Sequence, residues 1–127
     1  MSRMRQEILA ARLGDFTHGD GGLSGRFRFG QGFVGFAGHF PGYPLLPAVA
    51  QAVLGRVMAE ALAGAPLAMA ILEKAKFVRE VRPDEELLAE CRRMELKGRA
   101  GYEVRLSVAG EPASSFVLIP ATEGAAA

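Results

Sequence analysis

The sequence predicts an α+β fold in which one long central helix is wrapped by an antiparallel sheet. Apolar residues cover most of the circumference of a helical stretch that follows Pro47, which is typical of a helix buried on most sides. On either side of it, apolar and polar residues alternate between turns rich in Gly, Pro and Asp, as in strands joined by hairpins. The 127 residues suffice for one core, so residues 1–127 are expected to form a single domain.

The first elements precede this helix. Residues 1–16 fit either a short helix or an edge strand, because their alternation is too weak to decide between the two. The composition of residues 17–22 (THGDGG) predicts a turn. In residues 23–29, apolar or small side chains alternate with polar ones, which indicates a half-exposed strand.

Residues 35–47 predict a rigid loop. They contain three glycines and three prolines, which excludes a helix interior and a central strand. His39 lies in the middle of this loop and is its only side chain that can exchange a proton near neutral pH. The loop therefore holds a candidate base on a stiff backbone.

The helix is predicted to have Pro47 at its first position, where the missing N–H of proline costs nothing. Gly64 and Pro66 end it. The first turn of a helix has N–H groups without intrahelical partners and a partial positive charge. A base held beside such a helix start provides half of an active site, namely a proton acceptor next to an oxyanion binder.

Four strands joined by tight turns are predicted after the helix, with strands at 68–82, 87–96, 102–108 and 114–119 and turns at 83–85, 97–101 and 110–112. Consecutive hairpins form an antiparallel sheet, and the helix is the only large apolar element that can cover its face. A single helix cannot protect both faces and both edges of a sheet. We therefore expect a homodimer, with a higher oligomer of dimers left open.

Composition restricts the functional classes. The formal net charge is +1 without long runs of one sign, which argues against nucleic acid and anionic membranes as partners. We find neither an apolar run of membrane-spanning length nor a signal peptide. The single cysteine, Cys91, excludes an internal disulfide and fits a reducing cytoplasm. Because His18, His39 and Cys91 lie in different segments without ligand spacing, we expect no metal site and no cofactor.

Residues 38–47 (GHFPGYPLLP) resemble the signature of the hotdog-fold 3-hydroxyacyl-acyl-carrier-protein dehydratases of fatty acid synthesis. Residues 71–87 look like the central strand pair of that family, and the order of elements agrees from Leu23 onward. The resemblance implies a hotdog fold and a substrate carried as a thioester on acyl carrier protein or coenzyme A.

Loss of water from a 3-hydroxyacyl thioester needs a base for the α-proton, donors for the enolate-like oxygen and an acid for the leaving hydroxyl. By the resemblance, His39 is the base and the amide of Ala48 holds the carbonyl, with alanine standing where the family usually has glycine. The candidate substrate contacts are Phe36, Phe40, Gly42, Pro47, Ala48, Val49 and Val53. For the aromatic and branched residues among them, the alternative is an ordinary position in the core.

The acid of the family is missing. The family has a glutamate or aspartate fourteen residues after the histidine, and this chain has Val53 there. Gln51 could hold a water or the substrate hydroxyl. Glu60 lies about 10 Å beyond Val53 along the helix, at a rise of 1.5 Å per residue. It also fits an i, i+4 ion pair with Arg56. As a third solution, His39 could serve as both base and acid.

Three functions follow from this pattern. The leading hypothesis is a dehydratase that acts on a 3-hydroxyacyl thioester. The second is a protein that binds acyl thioesters without turnover, or a partner subunit beside an active one. The third is a thioesterase, against which Val53 argues as much as it does against dehydration.

Overall fold

The computed structural model describes residues 2–36 and 45–121. This part of the chain contains α1 (Arg3–Ala10), β1 (Arg12–Gly19), β2 (Gly22–Arg28), a 3-10 helix (Val34–Phe36), α2 (Ala48–Ala63), β3 (Met69–Phe77), β4 (Glu86–Leu96), β5 (Arg99–Val108) and β6 (Glu111–Pro120). The predicted α+β class is confirmed.

The six strands form one antiparallel sheet in the order β1-β2-β4-β5-β6-β3. The β4-β5 and β5-β6 hairpins are as predicted, but β3 pairs with β6 at the far edge of the sheet and does not neighbour β4. Residues 71–87 therefore do not form a strand pair with each other. The connection at 78–85 is too long for a tight hairpin and carries the chain across the sheet.

The long helix α2 packs against β2 and β4. Leu54 and Met58 are fully buried, as the apolar circumference predicts. Gly64 ends the helix with φ 74°, a left-handed conformation that suits glycine. Pro47 is the N-cap rather than the first helical residue, because its ψ of 161° is extended. Within the described ranges, no helix is long and apolar enough to cross a bilayer.

A glycine brings α2 close to the sheet. A Cβ built on Gly55 would lie 2.6 Å from Cε2 of Phe116, a distance that real Cβ atoms do not tolerate. Phe116 is itself buried in β6. The missing side chain at Gly55 therefore sets how closely the helix sits on β6.

The N-terminal segment contains both elements that the sequence left open, first a helix and then a strand. Ser2 caps α1 by accepting a hydrogen bond from the Arg5 N–H at 3.1 Å. The predicted turn at 17–22 is too wide. Thr17 and His18 pair with β2 across the ladder, which leaves only Asp20 and Gly21 at the turn.

The strand predicted at 68–82 is also too long, since β3 ends at Phe77. The N–H groups of Val78 and Arg79 both donate to the carbonyl of Ala113, at 2.8 and 3.2 Å. The carbonyl of Val81 accepts from the N–H of Leu46 at 2.8 Å. The backbone beyond β3 thus leaves the ladder and holds the segment that leads into α2.

Candidate active site

The start of α2 faces an open cleft, which we call the helix-start cleft. It has a volume of about 370 Å³ and is lined by Leu45, Leu46, Pro47, Ala48, Gln51, Phe77, Val78, Arg79 and Glu80. Pro47 supplies no side-chain cap, and Ala48 is exposed. Because the first amides of a helix point outward from its end and carry partial positive charge, this cleft suits an oxygen that develops negative charge.

Gln51 is buried beneath this cleft, with 4% of its surface exposed. Its Nε2 donates to the carbonyl of Leu46 at 3.0 Å, and its Oε1 accepts from the hydroxyl of Ser114 at 2.6 Å. Ser114 is also buried. The Gln51 side chain therefore joins α2, the segment before it and β6, and its carbonyl oxygen is used within the protein.

Leu46 is held through both of its backbone groups. Its carbonyl accepts from Gln51, and its N–H donates to Val81. Its side chain is 4% exposed and belongs to the core. The chain is therefore fixed two residues before the start of α2.

Glu60 is a buried carboxylate near the other end of α2, 8% exposed. Its oxygens accept from Arg5, from Nε of Arg56 at 3.2 Å and from the Leu67 N–H at 2.8 Å. The predicted i, i+4 pair with Arg56 is thus confirmed. Desolvation by itself would raise the pKa of Glu60, but the hydrogen bonds from Leu67, Arg5 and Arg56 outweigh it and hold that pKa below its ordinary value of 4.5.

Replacing Glu60 should therefore change stability more than chemistry. We expect Glu60→Ala to lower the free energy of unfolding by about 2 kcal/mol at neutral pH, because partly buried donors lose their acceptor. A depressed pKa stabilises the fold above about pH 4.5 and loses that contribution as the pH falls through the folded-state value. Urea unfolding at several pH values measures this. Glu60→Gln, which does not titrate, should show a flatter loss of stability in acid, and a loss as steep as that of wild type contradicts this role.

Val53 lies beside a second, apolar groove on the same helix. This apolar groove has a volume of about 290 Å³ and is lined by Val49, Ala52, Val53, Arg56, Ile71, Leu72 and Leu118. Val53 is half-buried and packs against the core, whereas Val49 is 61% exposed. None of the residues that line this groove carries a carboxylate.

The structure does not bring the predicted site residues together in one place. Pro47, Ala48 and Gln51 meet at the helix-start cleft, and Val49 and Val53 lie along the apolar groove. Phe36 is buried edge-on against Phe33, with ring centroids 5.5 Å apart. Glu60 lies further along the helix, beside another groove that Val53 also lines. His39, Phe40 and Gly42 lie outside the described residues.

Three other side chains could take part in chemistry or binding, namely those of Cys91, His18 and Arg79. Cys91 is buried in β4, and burial raises the pKa of its thiol to about 12, which makes it a poor nucleophile. His18 is exposed on β1. Arg79 pairs with Glu85 at 3.0 Å and with Glu111 at 3.1 Å. Among the described side chains, no group of three or more potential ligands could hold a metal ion.

Comparison with known proteins finds a family model and relatives that are all named as dehydratases. A family model described as ApeI-like, ApeI dehydratase, matches residues 17–116. The 3-hydroxyacyl-acyl-carrier-protein dehydratase FabZ of Desulforamulus reducens is 37% identical over 83 residues, which are 60% of this chain and 58% of the relative. The FabZ of Pelotomaculum thermopropionicum is 38% identical over 73 residues, 52% of each chain. The chain thus spans somewhat more than half the length of these relatives.

Solved structures with the same architecture carry different activities in their names. The dehydratase heterocomplex ApeI:P from Xenorhabdus doucetiae has a TM-score of 0.71 at 22% identity, with 85% of this chain and 97% of the other covered. A hypothetical thioesterase with coenzyme A from Streptococcus pneumoniae has a TM-score of 0.65 at 7% identity, with 93% and 94% covered. These superpositions confirm the predicted hotdog fold.

Proposed function

Because the chain belongs to the ApeI-like dehydratase family, we propose that it removes water from a 3-hydroxyacyl thioester and forms the trans-2-enoyl thioester. The observation that carries this proposal is the family match over residues 17–116, which includes the His39 motif and the start of α2. The acyl group is carried by acyl carrier protein or coenzyme A and serves the synthesis of fatty acids or related lipids. The lone reduced thiol of Cys91 suits a reaction in the cytoplasm.

We place the thioester of the substrate in the helix-start cleft. In the proposed reaction its carbonyl oxygen accepts a hydrogen bond from the Ala48 N–H, next to the partial positive charge of α2. His39 removes the proton from C2, and electron density moves onto this oxygen as the enolate forms. The enolate then expels the C3 hydroxyl, and the double bond forms between C2 and C3.

His39 is also the proposed acid. Gln51 and Glu60 are already hydrogen-bonded inside the protein, and Val53 cannot donate a proton. An imidazole that takes the C2 proton becomes an imidazolium, which can return the same proton to the leaving hydroxyl. Water then leaves, the imidazole is neutral again, and no second acid is consumed. The engaged state of both side chains favours this over the other two solutions.

One assay separates the three functional hypotheses. The protein is incubated with a 3-hydroxyacyl-coenzyme A while enoyl absorbance and free thiol are followed together. We expect enoyl product without free thiol. Free thiol alone indicates a thioesterase, and binding without either product indicates a thioester-binding protein or a partner subunit. Two observations favour the partner subunit as the alternative. Val53 stands where the family has its acid, and a solved structure of the same fold is named as a dehydratase heterocomplex.

We further propose that two copies close the site. β3 is an edge strand of the sheet. Large apolar side chains exposed on β3 and next to it are Leu72 (41%), Phe77 (46%) and Val78 (68%), and Val49 on α2 is 61% exposed. An edge strand with exposed apolar side chains pairs readily with another strand. A second copy placed there would cover the apolar groove, and any larger assembly would be built from such dimers.

A single substitution tests this interface. Leu72→Glu should shift the protein from dimer to monomer, because it places a charge in the proposed apolar contact. Sedimentation equilibrium gives the mass of each variant. Leu13 on β1 is a matched control, since it is 39% exposed on the opposite edge strand, and Leu13→Glu should remain dimeric. A monomeric wild type, or a dimeric Leu72→Glu, counts against the interface.

A further inference from the structure

The helix α1 lies outside the part of the chain that the family model matches, yet Ile8 is buried in the core and two charged side chains of α1 bond to the matched domain. Arg5 pairs with Glu60 of α2. The Oε1 of Glu7 accepts a hydrogen bond from the N–H of Val34 at 2.8 Å, across 27 positions of sequence. The second contact lies five residues before His39 in the sequence.

Val34 is the first residue of the 3-10 helix. The first N–H groups of a helix have no acceptor within it, so Glu7 caps this helix from a distance. Arg3 donates to the other oxygen of Glu7 at 2.7 Å. The Val34 N–H and Arg3 together hold the pKa of Glu7 below its ordinary value, because both bonds favour the ionised carboxylate.

Aromatic rings hold the residues next to Val34. Phe29 and Phe33 have centroids 4.6 Å apart, and Phe33 meets Phe36 edge-on at 5.5 Å. All three side chains are buried. The rings hold Phe33 and Phe36, and Glu7 holds the amide of Val34 between them.

We propose that Glu7 is a positioning residue: by holding the Val34 amide, it fixes the direction in which the chain enters the segment that carries His39. Gln51 holds Leu46 on the other side of that segment, so that both flanks are fixed by buried or partly buried hydrogen bonds. The effect on turnover rests on the proposed function. The effect on the 3-10 helix does not.

The test combines amide hydrogen exchange with steady-state kinetics in three variants of the full chain. Glu7→Ala should speed exchange at the Val34 amide and lower kcat on the order of 10- to 100-fold, with KM changed less than about twofold, because a small misplacement of a reacting group has that cost. Glu7→Gln retains an oxygen that can accept from Val34 and should retain most of kcat. Arg3→Ala is the matched control, because it removes the other partner of Glu7 and leaves the Val34 bond in place.

Unchanged exchange at Val34 in Glu7→Ala overturns the proposal, and so does an equal loss of kcat in Arg3→Ala. A change confined to KM also overturns it. If wild type has no turnover, the proposed function fails, and exchange at Val34 alone decides whether Glu7 holds this amide. Should Glu7→Ala not fold, Glu7→Asp replaces it. Its carboxylate is one methylene too short for Val34, so that wild-type exchange there refutes the role.

Discussion

His39→Ala is expected to lower the rate of enoyl formation on the order of 10²- to 10⁴-fold, the range that acid–base assistance by one side chain supplies. The proposed mechanism uses this imidazole twice, which places the loss toward the upper end. The predicted position of His39 on a loop means that the substitution should leave the core, and hence folding, intact. Initial rates of enoyl formation and thermal unfolding of the same preparations measure both expectations.

The chain provides its own control. His18 is the only other histidine of the sequence and is exposed on β1, so His18→Ala should keep the wild-type rate. If His39→Ala keeps the wild-type rate, or if both variants lose activity equally, the imidazole of His39 is not the base.

Val53→Glu is expected to raise the rate of dehydration by about 10²-fold, near the lower bound for an added general acid. The substitution places a carboxyl at the position where the family that this sequence resembles has a glutamate or aspartate. Val53 is half-buried in the apolar groove, whose lining also includes Arg56. Desolvation raises the pKa of a carboxyl placed there, and the guanidinium of Arg56 lowers it. Because Arg56 already pairs with Glu60, we expect desolvation to dominate and a protonated fraction to be available near neutral pH. Measuring kcat and KM with the same 3-hydroxyacyl thioester tests the gain.

Val49→Glu is the matched control for this gain of function. Val49 lines the same apolar groove one helical turn earlier, but it is 61% exposed. A carboxyl there adds the same charge to α2 without occupying the family position, and we expect no gain. An unchanged rate in Val53→Glu shows that the geometry of the slot differs from that of the family, and an equal gain in both variants points to a nonspecific effect of charge.

Most of the fold follows from local patterns in the sequence. The apolar circumference of α2, its end at Gly64 and the hairpins that join β4, β5 and β6 are all encoded by neighbouring residues. The position of β3 could not be predicted in this way. It pairs with β6, about forty residues later, and a pattern of alternation gives the face of a strand but not its neighbour.

The site shows the same division. The loop motif and the start of α2 are contiguous in sequence, which made His39 and Ala48 visible as a pair. The contacts that hold their surroundings are long-range: Gln51 meets Ser114 across 63 positions, and Glu7 meets Val34 across 27. No local signal marks Glu7 or Ser114, because each is one ordinary polar residue until the fold brings it to its partner.

Addition of water to the product, run in heavy water, tests the proposed chemistry most directly. The protein is incubated with a trans-2-enoyl thioester in D₂O, and the 3-hydroxyacyl product is examined by NMR. The reverse reaction should place one deuterium on C2 and a hydroxyl on C3, and His39→Ala should form no product above the uncatalysed background. If wild type adds no water, incorporates no deuterium at C2, or cleaves the thioester to the free acid, then the proposed proton transfer by His39 at C2, with the carbonyl oxygen held by the Ala48 amide, is contradicted.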